Sequence, residues 1–270
     1  MPAEPLVLLY HSIAEVPGDP LRVSPERFGE QLDVLKELTE PVPLRDLAHR
    51  GPSPRHVAVT FDDGYADNLT TARPALERRG IPATIFVATG ALRSGAEFWW
   101  DELERLAPGS RRELGDGFKR LLPEERDEVL TELRESRPGA PDPPPSHRLL
   151  TPAELVALAD GGLVEIGAHT VTHPRLSELP VEAQEAEIVE SRRELEELLG
   201  RPVRGFAYPY GEAGDYGYGT VALVKASGFD HACSVGHRVS ALPRLEILRK
   251  HILDWPADEF ERRLSGWLSV

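Results

Sequence analysis

Apolar residues along this 270-residue chain fall into two recurring patterns. Short unbroken runs read as strands buried on both faces: LVLLY (6–10), VAVTF (57–61), ATIFVA (83–88), LVEIGAH (163–169), VRGFAY (203–208) and FDHACSV (229–235), with LEILR (245–249) as a last short one. Longer stretches between them carry apolar residues at helical spacing. In SPERFGEQLDVLKEL (24–38), Phe28, Leu32, Leu35 and Leu38 share a face, Ser24 offers an N-cap and Pro25 takes the first helical position. TTARPALERRG (70–80) reads as a helix closed by Gly80, and TPAELVALADGG (151–162) opens with a Thr151–Glu154 capping box. VEAQEAEIVESRRELEELLG (181–200) reads as a long amphipathic helix stopped by Gly200. Strand and helix in repeated alternation predict a parallel α/β sheet, and at this length a closed or nearly closed barrel.

Residues 91–150 break the alternation. WWDELERL (99–106) and the charged PEERDEVLTELRES (123–136) predict helices, the latter with a solvated face, and RPGAPDPPPSHR (137–148) predicts a stiff surface linker. The expectation is one barrel domain over 1–270 with a helical insertion at 91–150.

Composition narrows the function. Thirty-one basic against 45 acidic residues give a net charge of −14, which argues against nucleic acid or an anionic membrane as main partner. The lone Cys233 excludes an internal disulfide and a multi-cysteine metal site, and reads as a small buried apolar residue. No apolar run approaches the ~18 residues of a membrane span. MPAEPLVLLYHSI lacks a basic n-region and a small-residue cleavage site, so the expected location is cytoplasmic.

Polar residues cluster just beyond the predicted strands: His11, Asp62 and Asp63, His169 and His173, and Tyr210 with Gly211. In a parallel barrel all strand C-termini open on one face, so these distant segments should converge there. Imidazoles four apart suit a metal, and two histidines plus one carboxylate leave coordination positions open, as in catalytic sites. Adjacent aspartates are costly together unless a cation or a division of roles relieves them; one ligand and one general base is such a division. Each motif alone also has a bland reading. The histidines could be hydrogen-bonded loop residues, DDG a helix-capping turn, His11 a rim residue, and FAYPYG a turn with Gly211 at positive φ. GEAGDYGYGT reads as a flexible loop, and no GxSxG is present.

In this order the motifs resemble those of the polysaccharide deacetylase family (NodB homology domain, carbohydrate esterase family 4). TFDDGY resembles its first motif, HTVTHP its second, and FAYPYG is similar to its third; the resemblance spans roughly residues 5–90 and 150–255. It implies a distorted (β/α)7–8 barrel, a divalent metal, most often Zn2+ with Co2+ or Ni2+ as alternatives, and removal of N-acetyl groups from sugars. It further implies Asp62 as general base, Asp63, His169 and His173 as metal ligands, and the Tyr210 N–H as an oxyanion donor. Ala207 stands where the family's third-motif arginine is usual, and Arg244 in LPRLEI is the expected substitute. VLLYHSI is similar to the early histidine motif of bacterial exopolysaccharide deacetylases, which makes His11 the expected general acid and His251 the alternative. FWWDEL (98–103) also recurs in that subgroup; Trp99 and Trp100 could stack on a sugar or fill a core beneath the insertion.

Expected substrates are an N-acetylated sugar, nucleotide sugar, lipid-linked sugar or glycan. The competing readings are a metal amidohydrolase of a small N-acyl or cyclic amide metabolite, and a non-catalytic glycan-binding barrel.

Overall fold

A computed structural model of the chain describes residues 5–50, 53 and 55–269. In chain order the strands are β1 (Leu6–Tyr10), β2 (Ser12–Ile13), β3 (Arg22–Val23), β4 (Glu40–Pro41), β5 (His56–Phe61), β6 (Ala83–Val87), β7 (Val164–Ala168), β8 (Gly205–Ala207), β9 (His231–Ser234) and β10 (Ile247–His251). Seven of them, in the order β1, β10, β9, β8, β7, β6, β5, form a parallel barrel that closes by pairing β5 back onto β1; β4 adds to β5, and β2 pairs with β3 apart from the barrel. This is the closed parallel barrel expected from the alternation, in the (β/α)7–8 form that the family resemblance implies. The strands read as unbroken apolar runs because they are covered on both faces.

The helices are α1 (Pro25–Leu38), α2 (Leu44–Arg50), α3 (Arg73–Arg79), α4 (Thr89–Ser94), α5 (Trp99–Leu106), α6 (Ser110–Arg120), α7 (Pro123–Ser136), α8 (Pro152–Ala159), α9 (Val181–Leu199), α10 (Tyr218–Ala226) and α11 (Ala257–Leu268). Their ends follow the sequence signals. Ser24 accepts from the Arg27 N–H, Thr151 and Glu154 close their capping box, and Gly80 and Gly200 adopt left-handed conformations after α3 and α9.

Two cores result. Aliphatic side chains such as Leu32, Leu35, Leu76, Ile188 and Leu195 seal helices onto the barrel. A separate, aromatic cluster of Tyr65, Phe98, Trp99, Trp100, Leu103, Phe118 and Leu130 unites α5, α6 and α7 with the turn after β5. The two tryptophans thus belong to a core. Cys233 is buried inside the barrel, where burial pushes its thiol up to about 12.

Candidate active site

Register brings the chemistry to one mouth of the barrel. Tyr10 pairs with Phe61, so the next residues, His11 and Asp62, leave at one level, with the Asp62 N–H donating to the Tyr10 carbonyl. Ala168 pairs with both Val87 and Phe206, which sets His169 beside Ala207. Leu9 pairs with His251 on the other side.

Among the described non-glycine residues, four have positive φ: Asp63 (78°), Thr170 (66°), His173 (54°) and Tyr210 (61°). All four lie at this mouth. Each such conformation costs about 1–3 kcal/mol, and such strain concentrates where function fixes geometry. The turn that aims Asp63 continues through Gly64 (φ 85°), where a Cβ would stand 3.0 Å from the Val87 side chain. His169 and His173 do not share a helical turn. Their loop is bent by the left-handed Thr170, whose Oγ1 accepts from the His173 N–H, and is tethered by Glu187 of α9, which accepts from the Val171 and Thr172 N–H groups.

The outcome is a compact three-donor set. His173 Nε2 lies 3.1 Å from His169 Nε2 and 3.4 Å from Asp63 Oδ1, and His169 Nε2 lies 3.7 Å from the same oxygen. Donors held ~2.0–2.2 Å from one tetrahedral ion stand ~3.3–3.6 Å apart, so these separations suit a single divalent cation. Of the described residues, Asp63, His169 and His173 form the group able to hold such an ion. His169 Nδ1 donates to the Ala207 carbonyl at 2.7 Å, which leaves the Nε2 lone pair free. His173 is held instead by packing, with Phe98, Trp100 and Tyr210 ring centroids 5.7, 4.9 and 4.8 Å away.

Electrostatics agree with the fit. Burial, then the Asp62 charge, pushes the Asp63 carboxyl well above its usual range. Burial also holds His169 and His173 below the ordinary histidine range, His173 further through His169. A cation between them is what would offset the desolvation of the Asp63 carboxylate.

Asp62, 4% exposed, is kept apart from this set by a guanidinium. Arg249 donates through Nη1 to Oδ1 and through Nη2 to Oδ2, both at 2.6 Å. Burial raises the Asp62 carboxyl, but Arg249 and His169 outweigh it and hold it below the usual range, so Asp62 stays ionised. The residue facing Asp62 is therefore not Arg244, which lies exposed on the turn Pro243–Leu245 before β10. Arg249 sits within β10, where Ile247, Arg249 and His251 alternate with Leu248 and the exposed Lys250. That period of two was the available signal.

His11 and His251 meet ring to ring, centroids 5.1 Å apart and nearly perpendicular. Burial, then His251, depresses His11 well below the ordinary range, and burial depresses His251. The Pro20 carbonyl partly offsets the depression of His251, and His11 Nδ1 and His251 Nε2 are each buried without a hydrogen-bond partner among the described residues. On the opposite wall, no described group accepts from the Tyr210 N–H. Gly211 follows at φ 73°, and a Cβ there would meet the Val235 backbone nitrogen at 3.1 Å. The Tyr210 hydroxyl accepts from Trp99 Nε1 (3.1 Å) and Arg126 Nη1 (3.3 Å), tying this turn to the inserted helices.

FWWDEL acquires a place through a second buried chain. Trp100 Nε1 donates to the Tyr65 hydroxyl (3.0 Å), which donates to Asp101 (2.7 Å), which accepts from Arg22 (2.9 Å). The glycine-rich stretch after Gly211 is pinned: Asp215 accepts from the Glu212 N–H and from Arg175, and Tyr216 stacks on Tyr208 at 4.0 Å. Together these walls enclose a cavity of about 390 Å³ lined by His11, Asp62, Asp63, His169, His173, Tyr210 and His251, with α6 on one side.

Comparison with known proteins agrees with this architecture. The polysaccharide deacetylase family model matches residues 49–231. The polysaccharide deacetylase homologue YxkH of Bacillus subtilis (strain 168) is 24% identical over 258 residues, covering 90% of this chain and 73% of that one. The fold is similar to that of the Streptococcus pyogenes deacetylase PplD, solved in complex with acetate (TM-score 0.69, 21% identity, 97% and 98% of the two chains). It is also similar to IcaB from Ammonifex degensii (TM-score 0.67, 22% identity, 99% and 98%). With the family model covering more than half of its length, this chain belongs to the polysaccharide deacetylase family.

Proposed function

We propose that the protein is a metal-dependent hydrolase that removes the N-acetyl group from an amino sugar or glycan. The observation that carries this reading is the convergence of Asp63, His169 and His173 beside an Asp62 held separately by Arg249. Asp63, His169 and His173 would hold the divalent ion, most simply Zn2+ given two nitrogen donors and one oxygen. Bound there, such an ion supplies Lewis-acid polarisation of the acetyl carbonyl and activation of water.

The chain's own groups supply the rest. Asp62, ionised and oriented at two points by Arg249, accepts the proton that the attacking water loses. The free Tyr210 N–H donates to the oxygen that gains charge as the carbonyl becomes tetrahedral; one such donor is worth ~3 kcal/mol in the transition state. The C–N bond then breaks, and the nitrogen needs a proton to leave. His11 delivers it. Because burial and His251 hold His11 neutral at rest, it first takes up the proton that Asp62 removed from water, a transfer the nearby Asp62 charge favours, and then passes it to the amine. Water and the amide are consumed, and acetate and a free amino sugar are released.

The test is acetate release from a panel of free, nucleotide-linked and polymeric N-acetylhexosamines, with and without added Zn2+, Co2+ or Ni2+. Metal-dependent acetate from at least one is expected. Metal binding without acetate from any would refute the deacetylase reading and favour an amidohydrolase of other small amides.

A further inference from the structure

The cavity has one wall that the chemistry above does not use. Arg111, Arg112, Gly115, Asp116 and Lys119 of α6 line it opposite the barrel. Their spacing places them on one helix face, with Glu113 and Arg120 turned elsewhere. On a chain of net charge −14, three of the four charged residues on this face are basic. Lys119 Nζ stands 5.1 Å from the Tyr210 ring centroid, which brings a cation to the residue holding the oxyanion turn, and 3.9 Å from Oδ1 of the exposed Asp116, a loose pair that a phosphate can displace. Arg111 is pinned by Asp19, 3.2 Å from both carboxylate oxygens, whereas Arg112 is exposed and makes no ion pair among the described residues. Gly115 is buried, yet a Cβ there would meet nothing within 4 Å. A glycine inside a helix costs about 1 kcal/mol against alanine, and here it leaves open space on the cavity face.

These cations have no task in amide hydrolysis. The Asp62 charge is matched by Arg249, and Asp63 lies with the metal-binding set. The acetamido group and sugar ring are neutral, and the amine product is itself a cation that Lys119 and Arg112 repel. The rim also carries Asp116 and Glu212, so the preference must come from a group placed specifically against the α6 face. A guanidinium fork and an ammonium on one face suit phosphate oxygens.

The geometry points to an anion subsite on α6: Arg112 and Lys119 bind a phosphate carried by the same amino sugar whose acetyl group sits at Asp62 and Asp63. The preferred substrate is thus a phosphorylated N-acetylated amino sugar, as a sugar 1-phosphate or a diphosphate-linked sugar. This rests on the deacetylase reading, so the experiment separates the two.

Acetate release and equilibrium binding by calorimetry are measured on the metal-loaded full-length protein. The ligands are N-acetylglucosamine, its disaccharide, N-acetylglucosamine 1-phosphate and uridine diphosphate N-acetylglucosamine. We expect kcat/KM for a phosphorylated sugar to exceed that of the neutral sugars at least ~10-fold, chiefly through KM, and to fall as salt is raised. Arg112→Glu should reduce that ratio by about tenfold, as loss of a charge-assisted contact does, whereas Arg120→Glu, outside the cavity, should not. The two phosphorylated ligands distinguish a terminal phosphate from a diphosphate link. Acetate release with equal efficiency on neutral and phosphorylated sugars, or a ratio unmoved by Arg112→Glu, overturns the inference and leaves the deacetylase reading standing. Tight binding of a phosphorylated sugar that Arg112→Glu abolishes, without acetate from any ligand, upholds the anion subsite and overturns the reaction.

Discussion

The barrel mouth and the inserted helices meet at the same cavity but are built by different physics. At the mouth, position comes from register: parallel strands of fixed pairing deliver His11, Asp62, His169 and His251 to the same end of the barrel, and strained backbone at Asp63, His173 and Tyr210 completes the aim. In α5–α7, position comes from an aromatic core that grips His173 by its ring and the Tyr210 turn by its hydroxyl. On the proposed function this becomes a division of labour, with bond chemistry on strand ends and the inferred phosphate contacts on helices whose aromatic core is separate from the barrel's aliphatic one.

That division can be broken from the mouth outward. The largest effect is expected for His169→Ala or His173→Ala. Each should abolish stoichiometric metal by elemental analysis and lower kcat/KM by at least ~10², the upper range for losing even an indirect metal contact. Next is Asp62→Asn, expected to lower kcat by ~10²–10⁴, the worth of a positioned base. Its carboxamide should leave bound metal unchanged, and wild-type turnover would refute the base assignment.

Arg249→Met tests whether Asp62 depends on its partner. Removing one member of a buried pair costs about 3–5 kcal/mol, readable by denaturant unfolding. The sign of the pH effect follows from the native pair. Arg249 holds the Asp62 carboxyl below its unfolded value, so the stability it confers is present above that value and lost as pH falls through the folded one. Without Arg249 the Asp62 carboxyl rises, and the acidic limb of kcat/KM should move to higher pH. Arg244→Ala should change stability by under ~0.5 kcal/mol and leave that limb in place, as for an exposed side chain.

The smallest effect sharpens the comparison from the insertion side. Trp100→Phe keeps an aromatic ring beside His173 but deletes the hydrogen bond to Tyr65, costing about 1 kcal/mol. Metal content should persist. Loss of metal would mean that the helices build the catalytic centre as well as flank it.

Much of this was legible in the sequence, for a physical reason. Strands covered on both faces must be apolar, so the polar residue that ends each run marks the barrel mouth, and His11, Asp62, Asp63 and His169 stand out on that ground. Capping residues Ser24, Thr151, Gly80 and Gly200 are local signals and fixed their helix ends. What stayed hidden was non-local. The pairing of Arg249 with Asp62 spans 187 residues, and an arginine inside a barrel strand defies the apolar pattern by which the strand is recognised. Arg244, just outside the predicted strand 245–249 and on an exposed turn, fits the usual place of an arginine but not the place Asp62 requires. The chain Arg22–Asp101–Tyr65–Trp100 is hidden for the same reason, joining three separated segments. Glycines 211, 214 and 217 suggested flexibility, yet Asp215 fixes that loop through contacts that glycine content does not reveal.

Separate jobs for the two neighbouring aspartates are tested directly by metal content measured on wild type, Asp62→Ala and Asp63→Ala in parallel. About one divalent ion per chain is expected in wild type and Asp62→Ala, and none in Asp63→Ala. Metal retained by Asp63→Ala, or lost equally from both variants, would contradict that separation.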